Sequence, residues 1–221
     1  MLGIAQFASM EIPNKYKVDI SCWKRKEHYN FFKRFEQPFF GITATINCTE
    51  AYTYCKAYNV SFFLYYLHKS LLAVNQVKEF RYRIEQDEVI EYSHICGSIT
   101  VLRNDETFGF AYFDHEQNFK TFASNTNAMI SAEKIASRLT LKSNLNSLIH
   151  YSVLPGINFS SMQHAQMLSS GDSVPKIVFG RLSFEDERVL LPVSVHVNHA
   201  LCDGLHLSKF FNIYQDLMQV T

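Results

Sequence analysis

The sequence predicts an α/β protein of the α+β two-layer kind, a mixed β-sheet with helices packed on it. Three observations carry that prediction. Apolar residues recur with a helical period in some segments and a strand period in others, and the two kinds do not alternate strictly, so a doubly wound parallel sheet is disfavoured. Hydrophobic residues make up 47% of 221 positions, enough for one continuous core. No Pro/Gly/Ser-rich linker, charge block or repeat marks an internal boundary, so 1–221 reads as one domain, with 1–14 an N-terminal extension of unassigned role.

The elements follow in order. Residues 16–20 read as a short strand and 23–35 as a helix that offers Phe31, Phe32 and Phe35 for packing. A strand at 39–48 precedes a short helix at 49–58 and a longer one at 61–77, where Leu64, Leu67, Leu71 and Val74 recur at helical spacing. Between 80 and 113, runs of Ile, Val, Tyr and Phe broken by Gln86-Asp87, Cys96-Gly97 and Asn104-Asp105 predict a meander of strands. Residues 118–140 are helix-prone. Strands return at 148–153, 176–183 and 189–198, the last two joined by a charged turn at 184–188. A closing helix starts after Asp203-Gly204, with Leu207, Phe210, Phe211, Tyr214, Leu217 and Met218 on one stripe.

Composition removes several classes of function. Lys and Arg number 21, Asp and Glu 21, so there is no electrostatic footprint for nucleic acid or an anionic membrane. Five scattered cysteines without a C-x-x-C pair suit reduced thiols, hence a cytoplasmic location. No apolar run approaches the roughly 20 residues that span a bilayer.

The segment 195–206 carries the chemistry. An apolar strand ends there in a polar cluster just before a helix, a junction that exposes side chains. A histidine such as His199, of a residue type with an unperturbed pKa near 6.5, can take a proton from a hydroxyl at neutral pH. Asp203 serves as helix N-cap or as an ion-pair partner. A metal site is the rival reading, since His196, His199, Cys202, Asp203 and His206 all carry ligand atoms. Strand periodicity puts His196 and His199 on opposite faces, so no metal is expected.

Three motifs in order resemble the chloramphenicol acetyltransferase family. They are Trp23-Lys24-Arg25-Lys26-Glu27-His28-Tyr29, Ser152-Val153-Leu154-Pro155-Gly156-Ile157-Asn158-Phe159, and the H-x-x-x-D-G of His199 to Gly204 followed by His206. The resemblance runs from about residue 16 to the C-terminus. It implies the CoA-dependent acyltransferase fold and a homotrimer with active sites between subunits. The activity implied is acetyl transfer from acetyl-CoA to a hydroxyl of chloramphenicol or a related small acceptor. By the same likeness, His199 is the general base, Ser152 the oxyanion donor, and Asp203 with Arg25 a structural ion pair supporting the site. Lys56, Tyr58 and Arg181 fall at coenzyme A positions, and Phe31, Phe32, Phe108, Met162, His164 and Val178 at acceptor-pocket positions.

Departures matter as much. Asn198 replaces a histidine, His196 a glutamine, Phe32 a tyrosine, Gly156 a tryptophan, Leu205 an aromatic residue, and Val178 a threonine. Met162 and His164 stand where apolar residues are more usual. The dihydrolipoyl acyltransferase core shares the fold and the H-x-x-x-D-G motif and gives an alternative acyl acceptor. A non-catalytic trimeric binding protein on the same scaffold is a second alternative.

Overall fold

The computed structural model describes residues 12–141, 146–166 and 171–219; the first eleven residues of the expected N-terminal extension lie outside them. The main sheet holds β2 (Phe39–Asn47), β10 (Arg188–Asn198), β8 (Lys176–Phe179), β7 (Leu148–Val153), β5 (Cys96–Leu102) and β6 (Phe108–Phe113) in that spatial order. A short β9 (Ser183–Glu185) pairs with β10. The β5–β7 and β7–β8 ladders are parallel and the others antiparallel, so the sheet is mixed. A second sheet is built from β1 (Lys15–Lys17), β4 (Glu88–Tyr92) and β3 (Tyr82–Glu85). Among the described residues there are five α-helices, α1 (Lys26–Phe32), α2 (Thr49–Ala57), α3 (Phe62–Gln76), α4 (Phe119–Lys134) and α5 (Gly204–Met218), and a 3₁₀ turn at Lys78–Arg81.

Alternation along β10 organises the packing. Val193, Val195 and Val197 join Leu67, Leu71 and Val74 of α3 and Leu207, Phe210 and Tyr214 of α5 in one core, all fully buried. Each such large side chain contributes about 1.5–3 kcal/mol by leaving water. The intervening residues Ser194, His196 and Asn198 point to the opposite face. Ladder register continues that row through Lys176 and Val178 of β8 to His150 and Ser152 of β7 and on to Ser98 of β5. A sheet face carrying polar side chains thus backs an apolar one.

Caps fix the helix starts. The Ser61 side chain accepts from the Leu64 N–H at α3, and Asn118 from Thr121 at α4. Several boundaries differ from expectation for identifiable reasons. The first helix is 26–32 rather than 23–35, because Trp23 turns edge-on to Tyr82, 5.5 Å between ring centroids, and the chain enters through tight turns. The helix expected at 118–140 ends at Lys134. The expected meander is two hairpins in two different sheets. Gln86 and Asp87 form the first hairpin's turn with positive φ at both residues, 49° and 65°, which matches the strand twist. Cys96-Gly97 is no turn but the start of β5, where a side chain at Gly97 would collide with the Phe113 ring. The strand expected at 176–183 breaks after Phe179. Pro192 opposite has no N–H to give, and Ile157 and Phe159 cross Gly180.

One buried cation joins the two sheets. Arg83 of β3 is 0% exposed and donates to the carbonyls of Phe80, Tyr82, Asn146 and Leu148 at 2.6–2.8 Å. Burial pulls its pKa down to about 10.

Candidate active site

The turn after β10 is held from several directions. Asn198 bonds the Ala200 N–H through its side-chain oxygen (2.9 Å) and reaches the Asp172 carbonyl through its amide (3.2 Å). The N–H groups of Leu201 and Cys202 return to the Asn198 carbonyl, and His199 N–H bonds Pro38. Asp203 then caps α5, accepting from Leu205 N–H, while His206 Nδ1 accepts from the Asp203 N–H. Arg25 Nη1 donates to Asp203 Oδ2 at 2.5 Å and Nη2 to the His199 carbonyl at 3.4 Å. Burial alone would raise the Asp203 carboxyl, but the Arg25 hydrogen bond and the charges of His206 and Arg25 outweigh it and hold the pKa below its usual value.

The His199 ring lies in an aromatic slot. It stacks on Phe32 with centroids 3.9 Å apart and planes 7° from parallel, and Phe40 lies 4.3 Å away. Phe31 meets Phe32 edge-on at 5.0 Å. Nδ1 faces the Cys202 carbonyl at 3.1 Å. A carbonyl only accepts, so Nδ1 carries the proton of the neutral ring and Nε2 presents the lone pair.

A second cluster gathers on the open face of the sheet. Ser152, Phe108 and His164 line one cleft of about 390 Å³, with Thr100, His150 and Lys176 among its other walls. Thr100 donates to the Ser152 Oγ at 3.2 Å, which leaves the serine proton free to point elsewhere. Val178 is fully buried between Ser152 and Ser194 across the ladder, and Met162 packs nearby through a backbone hydrogen bond to His196.

The two clusters do not meet within one chain. Ser152 aligns with Val178 and Ser194 across the sheet, and His199 lies five residues beyond Ser194, about 17 Å along the strand direction and two strands away. The His199 ring also rests on Phe40, the partner of Val197 on the helix side, whereas Ser152 is on the opposite face. Phe31 and Phe32 accordingly stay with His199, and Phe108, Met162, His164 and Val178 with Ser152.

The three expected coenzyme positions share an edge. Lys56 lies over the Tyr52 ring (5.4 Å), Tyr52 touches Phe184 (5.6 Å), and the exposed Arg181 is three residues before Phe184. Tyr58, largely exposed, meets the Tyr54 ring at a tilt of 38° with centroids 4.7 Å apart. Exposed cations beside open aromatic faces suit the phosphates and adenine of a nucleotide.

A sequence profile of the chloramphenicol acetyltransferase family matches residues 14–215. The chain belongs to that family. It is 30% identical over 213 residues to chloramphenicol acetyltransferase 3 of Escherichia coli, covering 92% of this chain and 97% of the relative. It is 27% identical over 213 residues to the chloramphenicol acetyltransferase of Clostridioides difficile, covering 93% and 96%. A solved chloramphenicol acetyltransferase superposes with a TM-score of 0.86 at 31% identity, over 93% of this chain and 100% of the other. The cubic core of the pyruvate dehydrogenase multienzyme complex shares the fold, with a TM-score of 0.63 at 12% identity over 82% of each chain. The chain is thus an acyltransferase with a CoA-dependent acyltransferase fold. No helix among the described residues is long and apolar enough to cross a membrane.

Sequence reading missed several members of the site. Ser98, Thr100 and His150 alternate with apolar residues on β5 and β7, and that period of two in otherwise apolar strands was the available signal. Asn198 looks like a lost histidine in the motif, yet its side chain shapes the turn.

Proposed function

We propose that the protein transfers the acetyl group of acetyl-CoA to a hydroxyl of chloramphenicol or a related small acceptor, as a homotrimer whose sites each combine two subunits. The observation that carries this reading is the separation of His199 from Ser152 by about 17 Å along the strand and by the sheet itself, since both must reach the same reacting carbonyl. A neighbouring chain brings the His199 turn of one subunit against the Ser152 cleft of the next. Coenzyme A supplies the acetyl group as a thioester, with Lys56, Tyr58 and Arg181 available to hold its phosphates and base.

The chemistry then belongs to two side chains. His199 Nε2, with Nδ1 anchored on Cys202, takes the proton of the acceptor hydroxyl as its oxygen attacks the acetyl carbonyl, and returns it to the coenzyme A sulfur as the C–S bond breaks and the thiol leaves. Phe32 and Phe40 hold the ring in plane during that transfer. The Ser152 hydroxyl donates to the carbonyl oxygen as charge develops there, and Thr100 orients it. Arg25 and Asp203 fix the turn and touch no reacting atom.

Complementation tests the arrangement. His199→Ala and Ser152→Ala chains, each inactive alone, are unfolded together, refolded at equal ratio and assayed for thiol release with chloramphenicol. Random trimers regain about a quarter of wild-type activity, because one interface in four pairs an intact His199 with an intact Ser152. Activity no higher than that of either parent, in mixtures shown to contain mixed trimers, overturns the two-subunit site.

A further inference from the structure

Resting on the acceptor-site reading above, we infer that His150 and His164 form a hydrogen-bonding seat in the cleft. The acceptor then carries a neutral polar group, such as an amide, across an aromatic ring from its reacting hydroxyl.

Four observations converge. His164 Nε2 is buried with no partner, although its ring lines the cleft. Such an unmade bond costs about 1–3 kcal/mol, which a ligand atom can recover. His150 spends Nδ1 on the Ser98 hydroxyl at 2.6 Å, leaving Nε2 for the cleft that its ring also lines. His150 stands two residues from Ser152 on the same face, roughly 7 Å, which is about the span from a reacting hydroxyl across one ring. Phe108, Phe110 and Tyr112 wall the same cleft, a surface for a flat apolar body.

The head group is neutral because the local cation is already engaged. Lys176, the ammonium among the described residues that line the cleft, donates to Asp172 Oδ2 at 2.6 Å and to the Val174 carbonyl at 3.2 Å, with the Phe39 ring 4.3 Å away. Burial first, then nearby positive charge, brings His150 and His164 down to about 4, so both rings are uncharged at neutral pH. Neutral imidazoles give and accept, which suits an amide better than a carboxylate that would have to shed its water. His196 supports the arrangement. Its ring meets His164 edge-on at 4.9 Å, it bonds the Met162 backbone, and Gly41 leaves the space its ring occupies.

The test uses acetyl-CoA and three 2-phenylethanols carrying a para carboxamide, isopropyl or carboxylate group. Wild type prefers the carboxamide over both others by about tenfold in kcat/KM, as one recovered hydrogen bond predicts, and calorimetric Kd values follow the same order. His164→Leu and His150→Phe reverse the carboxamide and isopropyl ranking, whereas His164→Gln keeps it. Reversal includes a gain for the isopropyl probe, which a misfolded variant cannot produce. Equal kcat/KM for carboxamide and isopropyl in wild type overturns the seat, and a preference for carboxylate overturns its neutrality. Ordered Kd values without CoA release from any acceptor leave the seat standing and overturn the catalytic reading instead.

Discussion

Among the described residues around His199 the polar groups bond within their own chain, Arg25 Nε and the ring's own Nε2 excepted, whereas on the Ser152 face His164 Nε2, His196 Nδ1 and Ser194 Oγ are buried without partners. The first region is finished by the fold. The second is built around room. A general base, the role proposed for His199, must hold one tautomer and one orientation before substrate arrives, and the bonds from Asn198, Arg25 and Cys202 secure both. An acceptor pocket gains by leaving donors and acceptors for whatever enters it.

Breaking each region in turn sharpens the contrast. His199→Ala removes the proposed base and is expected to lower kcat by about 10²–10⁴ with melting temperature nearly unchanged, measured by thiol release and calorimetry. Ser152→Ala comes next, with an expected loss of about 10²–10³ in kcat and little in KM, because in the proposed mechanism the hydroxyl acts on charge that develops only in the transition state. Arg25→Ala loosens the turn without touching reactants. Activity falls about tenfold and stability by about 1–3 kcal/mol, and Arg25→Lys recovers only part because it cannot span Asp203 and the His199 carbonyl together.

The mildest effect is on pH. His115, His150 and His164 are brought to about 4 in the folded chain, chiefly by burial, against about 6.5 when unfolded. Between those values the unfolded state binds more protons, so stability is highest above pH 6.5 and declines as pH falls toward 4. These three rings set a slope of at least about three protons per chain, to which His68, His196 and His206, also lowered chiefly by burial, add. Melting temperatures from pH 7 to 4.5 give that count, and His164→Leu lowers it by one; a flat profile shows the rings to be hydrated.

What could be read in advance was local. The strand 148–153 and the Asp203 cap of the last helix follow from period and capping chemistry, which neighbouring residues express by themselves. The partition of the meander between two sheets was hidden, because it depends on which distant strand each hairpin meets. Gly97 shows the difference. In the sequence it reads as a turn, and only the Phe113 ring lying over it explains why a strand needs a glycine there. At the site, the motifs singled out His199 and Ser152 as candidates. It could not show that they sit on opposite faces, since register is a property of the ladder.

The Arg83 guanidinium has a thermodynamic reach beyond its size. Pulling β3 away from the start of β7 would strand a charge from two of its four carbonyls, so neither sheet can loosen cheaply while the other persists. Trp23, the single tryptophan, rests against Tyr82 of that same strand and reports on the small sheet by fluorescence. Denaturation followed through this indole and through peptide circular dichroism should trace one coincident curve, and Arg83→Met should leave two.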